Sequence, residues 1–542
     1  MSLPLDADIL DLLHRYLALP SDTGTPLENN AGAFFRECLG DEPYFRAHPG
    51  HLGAWPIAGD ALGRSVHWAL VRGSGPGTVV LIHHTDTVGT EDYRHLAGAA
   101  RDPAALMEGL RGGGSRLGAE ARADLDSGDF LFGHGAADMK AGGAIQLALL
   151  KRWGREPRSG SLLLLGLPDE ESLSQGMRSA PLLLDDLRRR FGLEYRLMLN
   201  SEPQQRRDPA VGMLSEGSVG KMLPFIHVRG ALAHASQVYS GANPVHLLCE
   251  VVRRVELDAG LCDQRAGETA LPPTCLFFKD SKTRYDVSLP RSAFACFNVL
   301  ALGRTPAALL AHLERTCAEA ARGFLDALER SHARYRQLRG EPAPPLPWSV
   351  PVLRFQELAG PGAGDPGADG LFAQAAQAVR SGQRTMPQAT WELVDALLDR
   401  AGRPGPLVVL GFVPPFYPAV TNAGFGDPGH RAMGLAAHLI RFAARELGQR
   451  YLSEPFYTGI SDLSYASLQD GPELEENLVP NMPLHGPAYA IPFPEIRANA
   501  MPCVNIGPWG KDFHKRTERV FLPDLCGRTP ALVAEAVRLA LA

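Results

Sequence analysis

The chain begins with short, nearly unbroken apolar runs separated by stretches of helical periodicity. Thr78 to His83 and Ser161 to Leu167 read as strands. Gly142 to Trp153, between them, reads as a helix. This alternation through the first 200 residues predicts an α/β architecture. A second region starts near Glu216. It has a strand pattern entering a turn at R-G-A-L-A-H-A-S, a helix from Pro244 to Leu257, an alternating strand from Phe294 to Leu302 and a long helix from Pro306 to Gln337. The Pro-rich E-P-A-P-P-L-P-W segment then makes a stiff connection to a strand at Val350 to Phe355. These elements predict a β-α-β-β-α-β-like insertion. The Gly/Pro-rich stretch from Gly360 to Asp369 marks a boundary, after which helix and strand patterns resume and close with a helix from Pro530 to Leu541. The expected division is a first domain built from 1–214 and 359–542, interrupted by 215–358.

Composition narrows the class. A chain of 542 residues exceeds one ordinary core, so two or more domains are expected. With 45% hydrophobic and 21% charged residues and a net charge of -6, it carries no electrostatic footprint for nucleic acid. The run Arg188-Arg189-Arg190 reads as a solvated helix face. No apolar run approaches the roughly 20 residues that cross a bilayer. The start of the chain, with Asp6, Asp8 and Asp11 among leucines, reads as an acidic amphipathic helix rather than a basic leader. The expectation is therefore a cytoplasmic protein with no membrane or nucleic-acid partner. Eight cysteines stand singly, without a C-x-x-C pair, and read as buried free thiols rather than a thiolate zinc site or a disulfide framework.

Five clusters of acids and imidazoles change the picture. His84 ends an apolar run, where one ring nitrogen can bind a metal while Asp86 takes the proton of the other; the alternative is a loop hydrogen bond. Asp138 lies in G-H-G-A-A-D-M-K-A-G, where small residues allow a close turn and a carboxylate can bridge two cations or simply cap the next helix. Asp169-Glu170-Glu171 crowds like charges, which is costly unless cations or protons compensate. Glu171 can ligate while Glu170 stays free as a base; otherwise these are solvated acids at a helix start. His84, Asp169 and Glu202 all fall just past predicted strand ends, where open α/β sheets build their sites. His514 must return to this domain to complete a shell for a pair of cations. Such a pair, with a free carboxylate beside it, can drive the attack of water on an amide carbonyl at neutral pH.

The set H-T-D-T-V, D-M-K-A-G, D-E-E-S, N-S-E-P, R-G-A-L-A-H-A-S and H-K-R-T-E-R-V resembles the M20 metallopeptidase family over nearly the whole chain. Within that family, G-M-L-S-E-G-S-V-G-K-M-L-P, G-I-S-D-L-S-Y and V-N-I-G-P-W-G-K-D-F-H-K-R-T-E-R-V are most similar to the RocB branch, named for arginine utilisation. The resemblance implies a zinc-peptidase-like domain, a mixed sheet flanked by helices, with an inserted α+β ferredoxin-like lid or dimerisation domain. It implies that His84, Asp138 and Glu202 surround one divalent ion, and Asp138, Glu171 and His514 a second. Zinc is the expected metal, with cobalt and manganese as alternatives. Glu170 is implied as the proton shuttle, Asp86 as the residue orienting His84, and His234 as the oxyanion donor, in many relatives to the site of a dimer partner. The chain departs from the family at His134 and Asn298, where relatives carry arginine, and lacks an arginine near F-Y-T-G-I-S-D-L-S-Y. Asp462 and Lys511 are then candidates for reading a different substrate end. Glu202 resembles the deacylase side of the family. The implied activity is hydrolysis of a small N-acyl amino acid or dipeptide in arginine or ornithine catabolism, by a homodimer joined through the insertion. The alternative, suggested by the missing arginines, is a non-catalytic ligand-binding relative.

Overall fold

In the computed structural model, which describes residues 5–112, 117–156, 158–359, 366–425, 434–469 and 471–542, the apolar runs of the N-terminal half lie at the centre of a mixed eight-stranded sheet. Ser74–His84 runs parallel to Ser159–Leu167 on one side and to Glu194–Asn200 on the other. Val79 to Ile82 and Leu162 to Leu165 are buried. Each such Val or Leu contributes about 1.5–3 kcal/mol relative to leaving it in water, which is why these runs form the centre of the sheet. Ser65–Val71 and Leu52–Pro56 extend the sheet antiparallel on one flank. Cys503–Asn505, Val211–Ser215 and Arg450–Glu454 complete the other. Residues of the helices Leu5–Leu17, Ala141–Gly154, Leu435–Glu446 and Thr529–Leu541 join these strands in one apolar core. No helix among the described residues is long and apolar enough to cross a membrane.

The chain divides into two compact units. The first comprises Met1–Val219, Val420–Gln469 and Pro492–Ala542; the second comprises Gly220–Ala419 and Asp470–Ile491. The second unit is built on a five-stranded sheet in the order Thr274–Asp280, Ser292–Ala301, Gly220–Arg229, Leu407–Tyr417, Val352–Arg354. Its first four strands pair antiparallel with one another, and Pro244–Val255 and Pro306–Leu338 are the helices of the β-α-β-β-α-β order.

The second unit runs on past residue 359, where the sequence places the return of the chain to the first domain. The fourth strand of the order is Leu407–Tyr417, whose backbone pairs with Gly220–Arg229, whereas Val352–Arg354 is a three-residue edge strand parallel to it. The run Gly405 to Val413 supplies the buried strand, so the helices Pro366–Arg380 and Met386–Arg400 also belong to this unit. Of the Gly/Pro-rich stretch read as a boundary, residues 360–365 lie outside the described residues. Met386–Arg400 starts at a capping box, Thr385 with Gln388. Asp395 ties this helix to the sheet. Its carboxylate accepts from His227 Nε2 at 3.0 Å and from Ser292 Oγ at 2.7 Å, and pairs with Arg229 at 3.0 Å.

Candidate metal centre

His84 is the last residue of its strand and its side chain is 1% exposed. Its Nδ1 lies 3.0 Å from the carbonyl oxygen of Asp86. A carbonyl can only accept, so Nδ1 carries a proton, and Nε2 is the nitrogen turned toward the carboxylates. That Nε2 lies 2.9 Å from Asp138 Oδ1 and 3.6 Å from Glu202 Oε1. On the other side, Asp138 Oδ2 lies 3.3 Å from His514 Nε2, which is 3.0 Å from Glu171 Oε1. The two oxygens of one carboxylate thus face two imidazoles, each accompanied by a further glutamate. His84, Asp138 and Glu171 offer ligand atoms that all lie within 4.8 Å of one another.

The electrostatics of this donor set fit divalent cations. Burial and the charge of Asp138 push Glu202 well above the usual carboxylate range, and the same causes raise Glu171. Burial opposes ionisation of Asp138 too, but its bonds to His514 and His84 hold it below the usual range. Burial alone would keep His84 neutral, yet Glu202 and Asp138 hold its pKa well above that of a free imidazole. His514, bonded to Asp138 and Glu171, is raised to about 10. Carboxylates outnumber imidazoles, and their mutual repulsion is the strain that bound cations relieve.

Each of these side chains is delivered by a specific local device. The backbone N–H groups of Glu170 and Glu171 donate to Asp86 Oδ1 and Oδ2, both at 3.2 Å. This corrects the expected role of Asp86: its carbonyl orients His84, while its carboxylate stands 3.7 Å from Nδ1 and grips the acidic turn. Two residues beyond the strand end, the backbone has folded back to the ring and the side chain projects to the neighbouring loop. Asp169 opens that turn at a φ of 72°. Its N–H donates to Glu28 Oε2 at 2.8 Å, and its Oδ1 accepts from Arg64 at 2.7 Å. Arg64, itself buried, also binds Glu28 and Asp60. Glu170 is half-buried. Burial, opposed by His84 and reinforced by Asp462, Glu202 and Glu171, raises it well above the usual carboxylate range.

Asp138 has an extended backbone, with φ -111° and ψ 97°, and does not cap Ala141–Gly154. Lys140 holds the loop to the first helix by donating to the carbonyls of Tyr16 and Leu19 at 3.1 and 2.7 Å. Beside Glu202 only glycine fits at 507, because a Cβ there would lie 1.9 Å from the Glu202 carbonyl oxygen. His514 sits in a turn where it and Asp512 adopt φ values of 62° and 55°. Arg519 and Thr517 bind Asp512 at 2.6 and 2.8 Å and hold that turn in place.

Other residues singled out from the sequence fall outside this cluster. Lys511 is bound by Asp124 and Glu120, each at 2.8 Å, and lies over the rings of Phe130 and Trp509, which corrects its reading as a substrate-facing cation. His134 bonds the Val88 carbonyl at 2.8 Å and is pulled down to about 4 by burial. Asp462 is buried and pushed up to about 7 by that burial, with His84 opposing and Asp86 and Asp169 adding. Asn298 and His234 belong to the second unit. His234 is exposed, and its Nδ1 accepts from the Ser236 N–H at 3.1 Å, which leaves the proton on Nε2. Glu28, Arg64, Lys140 and Glu518 were not expected. Lys140 lies in D-M-K-A-G and Glu518 in H-K-R-T-E-R-V, whereas Glu28 and Arg64 lie in none of the motifs.

Imidazoles and carboxylates gathered at the C-terminal ends of parallel strands define the site of a metal-dependent hydrolase. Residues 80–525 match the model of peptidase family M20/M25/M40, and the chain belongs to that family. It is 32% identical over 526 residues to the uncharacterized protein YqjN of Bacillus subtilis (strain 168), covering 95% of this chain and 93% of that one. It is 28% identical over 536 residues to protein RocB of the same organism, covering 96% and 92%. Among solved structures, the fold is similar to that of the Bacillus subtilis YXEP protein, described as a dinuclear metal binding peptidase. The TM-score is 0.50 at 11% identity, over 99% of this chain and 98% of that one.

Proposed function

We propose that this chain is a two-metal-dependent hydrolase that cleaves the amide bond of a small N-acyl amino acid or dipeptide, with arginine and ornithine derivatives foremost. The observation that carries the reading is the Asp138 carboxylate, whose oxygens are turned to two different imidazole and carboxylate sets. His84, Asp138 and Glu202 would hold one ion, and Asp138, Glu171 and His514 the other. Mixed nitrogen and oxygen donors suit zinc and also admit cobalt or manganese. The relative described as a dinuclear metal binding peptidase supports a pair of ions, and likeness to RocB supports the substrate class. When bound, the ions would polarise the amide carbonyl and acidify water.

Glu170, its backbone fixed by Asp86 and its neighbour committed to an ion, takes the proton of the attacking water and returns it to the leaving amine. His234, with Nε2–H free to donate, serves the developing oxyanion, from its own chain or from a second copy. Purified zinc-loaded protein is expected to hold about two ions per chain and to hydrolyse members of an N-acyl amino acid and dipeptide panel. A His84→Ala, His514→Ala double variant loses the ions. Glu170→Gln keeps them and lowers kcat about 10²–10⁴-fold. Absence of bound metal in the native protein sinks the site assignment. Bound metal without turnover of any panel member sinks the substrate class.

A further inference from the structure

In the loop that carries Asp138, one distant side chain collects the N–H groups of Gly135, Ala137 and Asp138, while the N–H of Ala136 between them turns to the Gly133 carbonyl. Glu518 Oε1 accepts from the N–H of Ala137 at 2.9 Å and of Asp138 at 3.0 Å, and its Oε2 accepts from Gly135 at 3.1 Å. The backbone follows the same path, since the Glu518 carbonyl accepts from the Gly133 N–H at 3.2 Å. Glu518 is 1% exposed, and no arginine or lysine bonds to its carboxylate among the described residues. A carboxylate buried in this way is held by its N–H donors, and they in turn have no other acceptor.

The position of Glu518 in the chain gives the arrangement its meaning. It follows His514 by four residues and precedes Arg519, whose guanidinium holds Asp512 at 2.6 Å and Asp124 at 2.7 Å. Arg519–Phe521 pairs with Phe130–Phe132, the strand that leads directly into the Asp138 loop. Two adjacent side chains thus do complementary work: Arg519 fixes the turn bearing His514, and Glu518 fixes the loop bearing Asp138.

We propose that Glu518 is a positioning residue that sets the direction of the Asp138 carboxylate, so that one oxygen faces His84 and the other His514. The inference rests on the two-metal reading. Without Glu518, the buried N–H groups of Gly135, Ala137 and Asp138 must find other acceptors. The loop then rotates, and Asp138 can serve one imidazole but not both.

The test compares Glu518→Ala and Glu518→Gln with the native protein in two measurements. Calorimetric titration of the metal-free proteins with zinc is expected to show the first ion bound as in the native protein and the second weakened about 10–100-fold in the alanine variant. The glutamine variant retains the Oε1 acceptor but turns an amide N–H₂ toward Gly135, so its affinity falls between the two. Amide hydrogen exchange without metal is expected to show protection lost at residues 135–138 in the alanine variant and partly kept in the glutamine variant. Native affinity for both ions with unchanged protection at 135–138 overturns the proposal. If the native protein binds no zinc, the two-metal reading fails, and exchange alone decides whether Glu518 holds the loop. If the alanine variant does not fold, the glutamine variant carries both measurements.

Discussion

Asp86 separates two ways in which an acid can serve a metal site. A side chain that oriented His84 would, on removal of its charge, disturb the ligand and cost metal affinity about 10–100-fold. Here the backbone carbonyl of Asp86 orients the ring, and the carboxylate holds the N–H groups of Glu170 and Glu171 on separate oxygens. Asp86→Asn keeps the carbonyl and one acceptor but sets an amide N–H₂ against the other N–H. A hydrogen bond to a charged group contributes about 1.5–3 kcal/mol, so this variant is expected to lose about tenfold or more in kcat through a displaced Glu170. Metal content stays native. Loss of metal with little change in kcat per loaded site would return Asp86 to the role of ring orienter. The positions of His84, Asp169-Glu170-Glu171 and Glu202 were legible because each ends or follows an apolar run that reads as a strand, whereas Asp138 and His514 stand in motifs without such a run. The roles of Glu28, Arg64 and Glu518 were not legible, since their partners lie 141, 105 and 383 residues away and no spacing rule connects them.

Elements are legible when they carry their own hydrophobic signal. Ser74–His84, Ser159–Leu167 and Pro306–Leu338 declare themselves by run length or helical period, and the sequence expectation and the structure differ there only at the ends. The stretch 359–419 was assigned to the wrong unit because a Gly/Pro-rich segment reads as a boundary, while strand pairing obeys the partner rather than the connection. What fixes helix Met386–Arg400 in the second unit is Asp395. Burial alone would raise its pKa, but the bonds from His227 and Ser292 lower it from 3.8 to about 2. The folded state therefore binds this proton less tightly than the unfolded chain. The resulting stability is fully present above about pH 4 and is lost as the pH falls through about 2, and amounts to about 2 kcal/mol. Asp395→Asn is expected to be less stable than native by about that amount at pH 7 in urea unfolding, with the difference vanishing near pH 2. A difference independent of pH would mean that packing, and not the carboxylate charge, holds the helix.

At the scale of the whole molecule, the proposed ligands come from segments between residues 84 and 514 and all lie in the first unit, while the second unit contributes none of them. Ions bound there act as cross-links among distant parts of one unit, and binding to the native state alone stabilises by about 4 kcal/mol at a thousandfold excess over Kd. Their removal also restores the repulsion among Asp138, Glu171 and Glu202, so the loss is not confined to the bonds to metal. The second unit has its own apolar sheet and its own charged anchor at Asp395, neither of which involves the ligands. Chelation is therefore expected to act unevenly along the chain. Hydrogen exchange after metal removal should accelerate in peptides spanning His84, Asp138, Glu171, Glu202 and His514, and remain native in those spanning Gly220–Arg229, Ser292–Ala301 and Leu407–Tyr417. Restoring zinc should reverse the change, and acid should mimic it, because protons compete with the ions for imidazole and carboxylate alike. Equal acceleration in both units would show that the ions stabilise the chain as one cooperative body, and no acceleration anywhere would remove the cross-linking role altogether.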